Sequence, residues 1–414
     1  MKKNLLLLCS FLAAAALVGC SETATEEETQ ALSLTVSEPG YYTRFKDDNI
    51  SINVYNWGEY IADGSEEGIL DVNAEFTKLT GIKVNYSTYA TNEELYAKLK
   101  GGGSSYDIII PSDYMISRMI SEDMLLPLDM DNIPNFKNIT STFVNPEYDP
   151  ENKFSVPYTW GTVGIIYDNT AISDDSFGWE ILWDEQYKDQ ILMFDNPRDA
   201  FAVAELYLGY SLNTENSEEL GKAAELLKKQ KTLVQAYVMD EIFDKMGAGE
   251  AVLAPYYAGD ALTLMDEYEH LSFVIPEEGT NLFVDAMCIP AGARNKEAAE
   301  MYINFMCEPD VAYSTTSYIG YSTPNDGALA MVDEEVKNDG ISYLSKDYLD
   351  SKTEVYTNLS DEANRLMQDK WTDMKSSEEN NQNPWIVPLF MIACILLSVG
   401  ILIYRHVKAK KDIF

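Results

Sequence analysis

At 414 residues, 46% of them hydrophobic, the chain is long enough to build two lobes around sizeable cores. Its net charge of -38, from 30 basic and 68 acidic residues, excludes a nucleic-acid binder, which needs Lys and Arg to neutralise phosphates. An acidic surface instead concentrates cations, or simply keeps an exported chain soluble.

The chain opens with Lys2 and Lys3, an apolar stretch over residues 5–18, and "LVGC" ending at Cys20. Residues 1–20 thus read as a signal peptide with a lipobox, Cys20 being the lipidation candidate. Residues 21–50, with their "SETATEEETQ" start, read as an acidic tether.

The body runs over residues 51–375. Residues 52–55 predict a strand. Ile69, Val72, Phe76 and Leu79 fall at helical spacing and end at Gly81. A second strand follows over 82–86, and Thr91 with Glu94 forms a capping-box pattern opening "NEELYAKLK". "GGGSSYD" lacks the G-K-[ST] ending of a phosphate loop and precedes a strand, so it reads as a connection. "YDIIIP" is the third strand, and "DYMISRMI" starts another helix. This alternation predicts an α/β fold with mostly parallel sheets covered by helices.

A long extended run over 155–168 crosses into a second lobe, and residues 282–290 return. The expected organisation is lobe 1 at 51–160 and 286–330, and lobe 2 at 161–285 and 331–375. A linker at 376–384 leads to an uncharged apolar run at 385–404, flanked by Trp385 and Tyr404, of the length a bilayer core requires. The basic tail 405–414 places the body outside the cytoplasmic membrane by the positive-inside rule.

Five cysteines make no disulfide framework: Cys9 and Cys20 lie in the leader and Cys394 in the apolar run. Cys288 and Cys307 sit among apolar neighbours, as buried free thiols do. Catalytic machinery is thin. The two histidines are His270, alone in "DEYEHLSF", and His406, beyond the span; no H-E-x-x-H or C-x-x-C motif occurs. No enzyme activity, metal or cofactor is expected.

What recurs is an aromatic beside an acid where a strand pattern ends, the place where open α/β sheets bind ligands. Trp57, Glu59 and Tyr60 are one instance, and Asp113 with Tyr114 another. Asp195 and Asp199 follow in "FDNPRDAF", then Tyr256, Tyr257 and Asp260 in "PYYAGDA", then Phe283 and Asp285 in "NLFVDAM". A ring face attracts an ammonium by about 0.5–1 kcal/mol when exposed and about 2 or more when desolvated. A carboxylate holds an amine through a charge-assisted hydrogen bond. The mixture suits a flexible aliphatic chain with positive ends.

"INVYNWGEYI", "YDIIIPSDYM", "FSVPYTWGTVGIIYD", "RDAF", "FVDAMCIPAGARNKEAA" and "IGYSTPN" closely resemble the spermidine/putrescine-binding proteins of polyamine ABC importers, over about residues 52–371. The resemblance implies a two-lobed periplasmic-binding fold that closes on its ligand by hinge motion, with ABC permease and ATPase subunits as partners. It carries ligand contact to Trp57, Glu59, Tyr60, Ser112, Tyr114, Asp199, Tyr257, Phe283, Asp285 and Tyr356. In that scheme Asp285, Glu59 and Asp199 neutralise ammonium groups, the rings wall the methylene chain, and Ser112 supplies a local hydrogen bond. Tryptophans of some relatives are here Tyr257 and Phe283, and paired acids before "RD" are here Asp195 and Asn196, so diamine and triamine remain alternatives. Other readings are a binder of another cationic solute, such as an amino acid or thiamine, or a membrane-anchored sensor ectodomain.

Overall fold

The structure, a computed structural model, describes residues 34–65, 69–102 and 105–377. The candidate lipidation site Cys20 and the apolar run at 385–404 lie outside these residues. Among the described residues no helix is long and apolar enough to cross a membrane.

Among the described residues ten strands form one sheet system: β1 (Ser51–Trp57), β2 (Lys83–Tyr89), β3 (Ile108–Ile109), β4 (Ser155–Asp168), β5 (Ile191–Phe194), β6 (Val234–Val238), β7 (Leu253–Tyr257), β8 (Leu271–Val274), β9 (Thr280–Cys288) and β10 (Thr353–Glu354). The order is β2-β1-β3-β9-β4-β7-β5-β6, with β8 on β4 and β10 on β9. β2 lies at the edge and is mostly solvated, whereas β4, paired with β9, β7 and β8, is buried along nearly its whole length.

The sheet is mixed rather than mostly parallel. β1 pairs in parallel with β2 and β3, and β5 with β6 and β7. The two crossing strands run opposite ways, so β4 is antiparallel to β9, β7 and β8. Two strands that pass in opposite directions need no crossover helix to pair. β4 changes partner in mid-course: Thr162 is its last residue opposite β9, and Val163 its first opposite β7. Two groups of elements thus share one pair of strands, giving the expected two-lobed α/β fold.

Local chemistry explains the helices that feed the sheet. Asp71 caps the helix Val72–Thr80 by accepting the Ala74 N–H at 2.8 Å, and Gly81 closes it at φ +77°, where a side chain would strain. Thr91 accepts the Glu94 N–H at 3.1 Å; the Glu94 carboxylate returns to Ala90, one residue earlier than the box pattern predicts. Asn196 caps the helix Pro197–Leu208, with Pro197 in the first turn. The third strand is shorter than "YDIIIP" suggests because the Ile110 carbonyl accepts from side chains, Trp57 Nε1 at 2.9 Å and Tyr89 OH at 2.6 Å.

The first lobe buries Phe76, Tyr302 and Phe305; the Phe76 and Tyr302 rings meet edge-on at 5.0 Å. The second buries Trp179, Phe194 and Phe201. Side chains of this size contribute about 1.5–3 kcal/mol each. Part of the expected tether belongs to the body: Tyr42 is fully buried and donates to Glu308 Oε1 at 2.7 Å. The sequence 21–50 disguised it because Tyr41, Tyr42 and Phe45 among polar residues make no helical or strand period. Cys288 and Cys307 are buried and free.

Candidate ligand-binding cleft

Asp285 sits on β9 opposite Thr159 of β4, where the two crossing strands run side by side. Ser112, in the loop after β3, donates to Oδ1 at 2.6 Å, and Tyr60, just past β1, donates to Oδ2 at 2.6 Å. Thr159 Oγ1 lies 2.5 Å from the Tyr60 hydroxyl, and Asn92 donates to Ser112 Oγ at 3.0 Å. The carboxylate is 4% exposed, and all these partners are neutral. Burial pushes its pKa up to about 6, against the two hydroxyl donors, which favour the anion, and with Asp199, which disfavours it. A buried anion without a charged partner is unfavourable until a cation arrives.

Asp199 repeats the design from the other lobe. It stands in the first turn of its helix, where its N–H donates to Asn196 Oδ1 at 2.8 Å and Asn196 Nδ2 donates back to Oδ2 at 2.8 Å. Tyr356 donates to Oδ1 at 2.9 Å and Tyr257 to Oδ2. Every donor is again neutral.

Rings join the two acids. Phe283 meets Tyr257 edge-on at 5.5 Å and Tyr321 at 6.2 Å, and Tyr321 meets Tyr60 at 4.8 Å. Tyr114 meets Tyr356 at 5.7 Å. Trp57 is held by its bond to the Ile110 carbonyl and lies 4.7 Å from Tyr89. The large side chains at the end of β1 are therefore both the strand terminator and the cleft wall. Gly161 on β4 makes room for the Phe283 ring: a Cβ there would stand 2.9 Å from Cζ.

The cleft is partly open, with ≈ 670 Å³ of empty space including its solvent-filled mouth. Its walls include Trp57, Tyr60, Ser112, Tyr114, Asp199, Tyr257, Phe283, Asp285 and Tyr356. Glu59 is the exception. It is exposed in the turn after β1 at φ +45°, and does not line the cleft. The turn conformation swings its carboxylate outward. Its charge is still felt, raising the pKa values of Asp240 and Asp260 behind the larger effect of burial.

Asp240, Asp260 and Glu93 line the cleft although the resemblance did not carry contact to them. Burial pushes Asp260 up to about 8, against a hydrogen bond with Tyr321, and raises Glu93 as well. Asp260 was visible in "PYYAGDA". Asp240 obeys the same strand-end rule after β6, but no aromatic adjoins it. Glu93 was hidden as an ordinary acid in the first turn of a helix. Two of the sequence pairs serve structure: Asp113 accepts the N–H groups of Tyr114 (2.6 Å) and Val284 (3.1 Å), and Asp195 pairs with Lys375 at 2.6 Å. Among the described residues no cluster of His, Cys, Asp or Glu is suited to a metal ion.

The model of bacterial extracellular solute-binding proteins matches residues 104–352. The chain belongs to that family. It is a binding protein, not an enzyme. The spermidine/putrescine-binding periplasmic protein of Salmonella typhimurium is 39% identical over 298 residues, covering 72% of this chain and 84% of that one. The putrescine-binding periplasmic protein SpuD of Pseudomonas aeruginosa is 31% identical, covering 80% and 93%. Among solved structures, the spermidine/putrescine ABC transporter substrate-binding protein PotD of Streptococcus pneumoniae is 36% identical with a TM-score of 0.66, covering 79% of this solute-binding protein and 98% of its own chain. An ABC-transporter protein of Listeria monocytogenes reaches a TM-score of 0.74 at 37% identity, covering 79% and 99%.

Proposed function

We propose that this solute-binding protein is the substrate-binding component of a polyamine ABC importer, closing its lobes on putrescine or spermidine and delivering it to a permease driven by an ATPase. The observation that carries this reading is the pair of buried carboxylates, Asp285 and Asp199, each held only by neutral donors and joined by a wall of rings. Ammonium groups supply the missing charge, at about 1.5–3 kcal/mol per charged hydrogen bond. Trp57, Tyr60, Tyr114, Tyr257, Phe283 and Tyr356 cover the methylene chain, and Ser112 orients Asp285. The names of the relatives support the ligand class.

The lobes divide at 160/161 and 285/286 in this reading, a division supported by the change of β4 partners between Thr162 and Val163. The body works outside the cytoplasmic membrane, held there by a helix at 385–404 and by a lipid on Cys20. Apolar length, flanking aromatics and the basic tail support the helix, and the lipobox supports the lipid.

Calorimetry with putrescine, spermidine, spermine, arginine and thiamine titrated side by side tests the proposal. Micromolar or tighter binding of a linear polyamine, about -8 kcal/mol or better, is expected. Binding of arginine or thiamine in preference to every linear polyamine would overturn it.

A further inference from the structure

We propose, on the polyamine-binding reading above, that Arg198 is a specificity determinant: a fixed positive plug that ends the slot beyond Asp199 and limits the length of amine the cleft accepts.

Arg198 is the sequence neighbour of Asp199 and stands with it in the first turn of the helix Pro197–Leu208. It is 3% exposed. Its Nη2 donates to Asn213 Oδ1 at 2.8 Å and to the Thr357 carbonyl at 3.3 Å, while Nε and Nη1 have no hydrogen-bond partner among the described residues. Both partners are neutral, so no carboxylate cancels the guanidinium charge at contact distance. Glu205, buried on the same helix, feels the charge but forms no ion pair with it, and a buried cation without such a partner is retained at a cost.

Its position gives that cost a use. The guanidinium carbon lies 4.4 Å from the Tyr356 ring centroid and 5.6 Å from that of Tyr114. These are the rings whose hydroxyls donate to Asp199 (2.9 Å) and Glu93 (3.1 Å). Cation–π attraction keeps the charge against the rings that close this end of the cleft. Its field favours the ionised form of Glu205, a buried acid of the same helix, and, as the smallest of several influences, those of Glu93 and Asp113.

Behind the wall the molecule is open. Glu93 and Tyr114 line both the cleft and a second groove of ≈ 1500 Å³ empty volume, whose walls also include Arg198, Arg118 and Arg365. A chain that outgrew the cleft would pass here, and its next ammonium would meet the plug. The cleft also carries Asp240 and Asp260, and among the described residues no Lys or Arg lines it. Repulsion from Arg198 beyond the Tyr114 and Tyr356 rings, against attraction by the acids that line the cleft, limits how far an amine extends on that side.

The test measures affinities of full-length, detergent-solubilised protein for putrescine, spermidine and spermine. In Arg198→Gln, the spermine affinity should rise relative to putrescine by at least tenfold. Arg198→Met, which keeps the stem against the rings, should do the same, and Arg198→Lys, which keeps the charge, should preserve the wild-type ratio. Ratios within threefold of wild type in both neutral variants, melting temperatures being retained, would overturn the plug while leaving the polyamine reading intact. A Lys variant that shifts as far as Gln would also overturn it, because shape rather than charge would then decide. A wild type that binds no linear amine would overturn the polyamine reading itself, and the plug with it.

Discussion

The Tyr60 hydroxyl stands 2.6 Å from Oδ2 of Asp285, although 225 residues separate them in the chain. The turn after β1 and the return strand β9 are thereby joined at one of the acids that line the cleft. Replacing Asp285 by Ala should weaken polyamine binding at least tenfold, measured by calorimetry, with the circular dichroism spectrum retained. Tyr60→Phe removes one donor to the anion and should cost about 1–3 kcal/mol of binding, less than loss of the carboxylate.

Binding should depend on pH in a definite direction. The folded pKa of Asp285 is raised from 3.8 to about 6, and that of Asp260 to about 8, in both cases chiefly by burial. The folded apo protein therefore holds protons more tightly than the unfolded chain, and loses stability as pH rises from about 4 towards 8. A cationic ligand needs the ionised acids, so the polyamine-induced gain in melting temperature should shrink as pH falls through about 6. At pH 6 binding should release protons, seen as a heat that varies with the ionisation enthalpy of the buffer. A gain in melting temperature that is flat from pH 5 to pH 8 would contradict this.

Glu59 and Asp199 should separate cleanly. Asp199 is buried with its lone pairs engaged, whereas Glu59 is exposed and its charge screened by salt. Asp199→Asn is expected to weaken binding at least tenfold. Glu59→Gln is expected to change it less than threefold, and less still at 0.5 M salt.

Asn196 serves the helix and the site together, through its exchange of hydrogen bonds with Asp199. Asn196→Ala should lower stability in urea by about 0.5–2 kcal/mol, as a lost cap does, and weaken ligand binding besides. A cap with no part in the site would show only the first effect.

Gly161 tests the packing of the ring wall. The 2.9 Å approach of a Cβ to Phe283 forces the ring to shift in Gly161→Ala, and affinity should fall at least threefold. The companion Phe283→Leu, which replaces the ring by a shorter aliphatic side chain, should relieve the clash and reduce the further loss caused by the alanine.

Local pattern made much of this molecule legible. The spacing of Val72, Phe76 and Leu79, the caps at Thr91 and Asn196 and the uninterrupted run of β4 each specify an element through contacts a few residues apart. The strand-end rule pointed to the cleft at Trp57, Tyr60 and Tyr257, because the carboxyl ends of strands gather there, whereas Phe283 and Asp285 lie within β9 and reach the cleft from the crossing strand. Sequence alone did not separate Glu59 from Asp240. Both are acids just past a strand, and only the left-handed turn at Glu59 and the packing of the lobes decide which one lines the cleft. The antiparallel course of β4 and β9, the shortened β3 and the position of Arg198 behind its rings are likewise tertiary facts. Each depends on groups brought together from distant parts of the chain, and periodicity carries no record of such meetings.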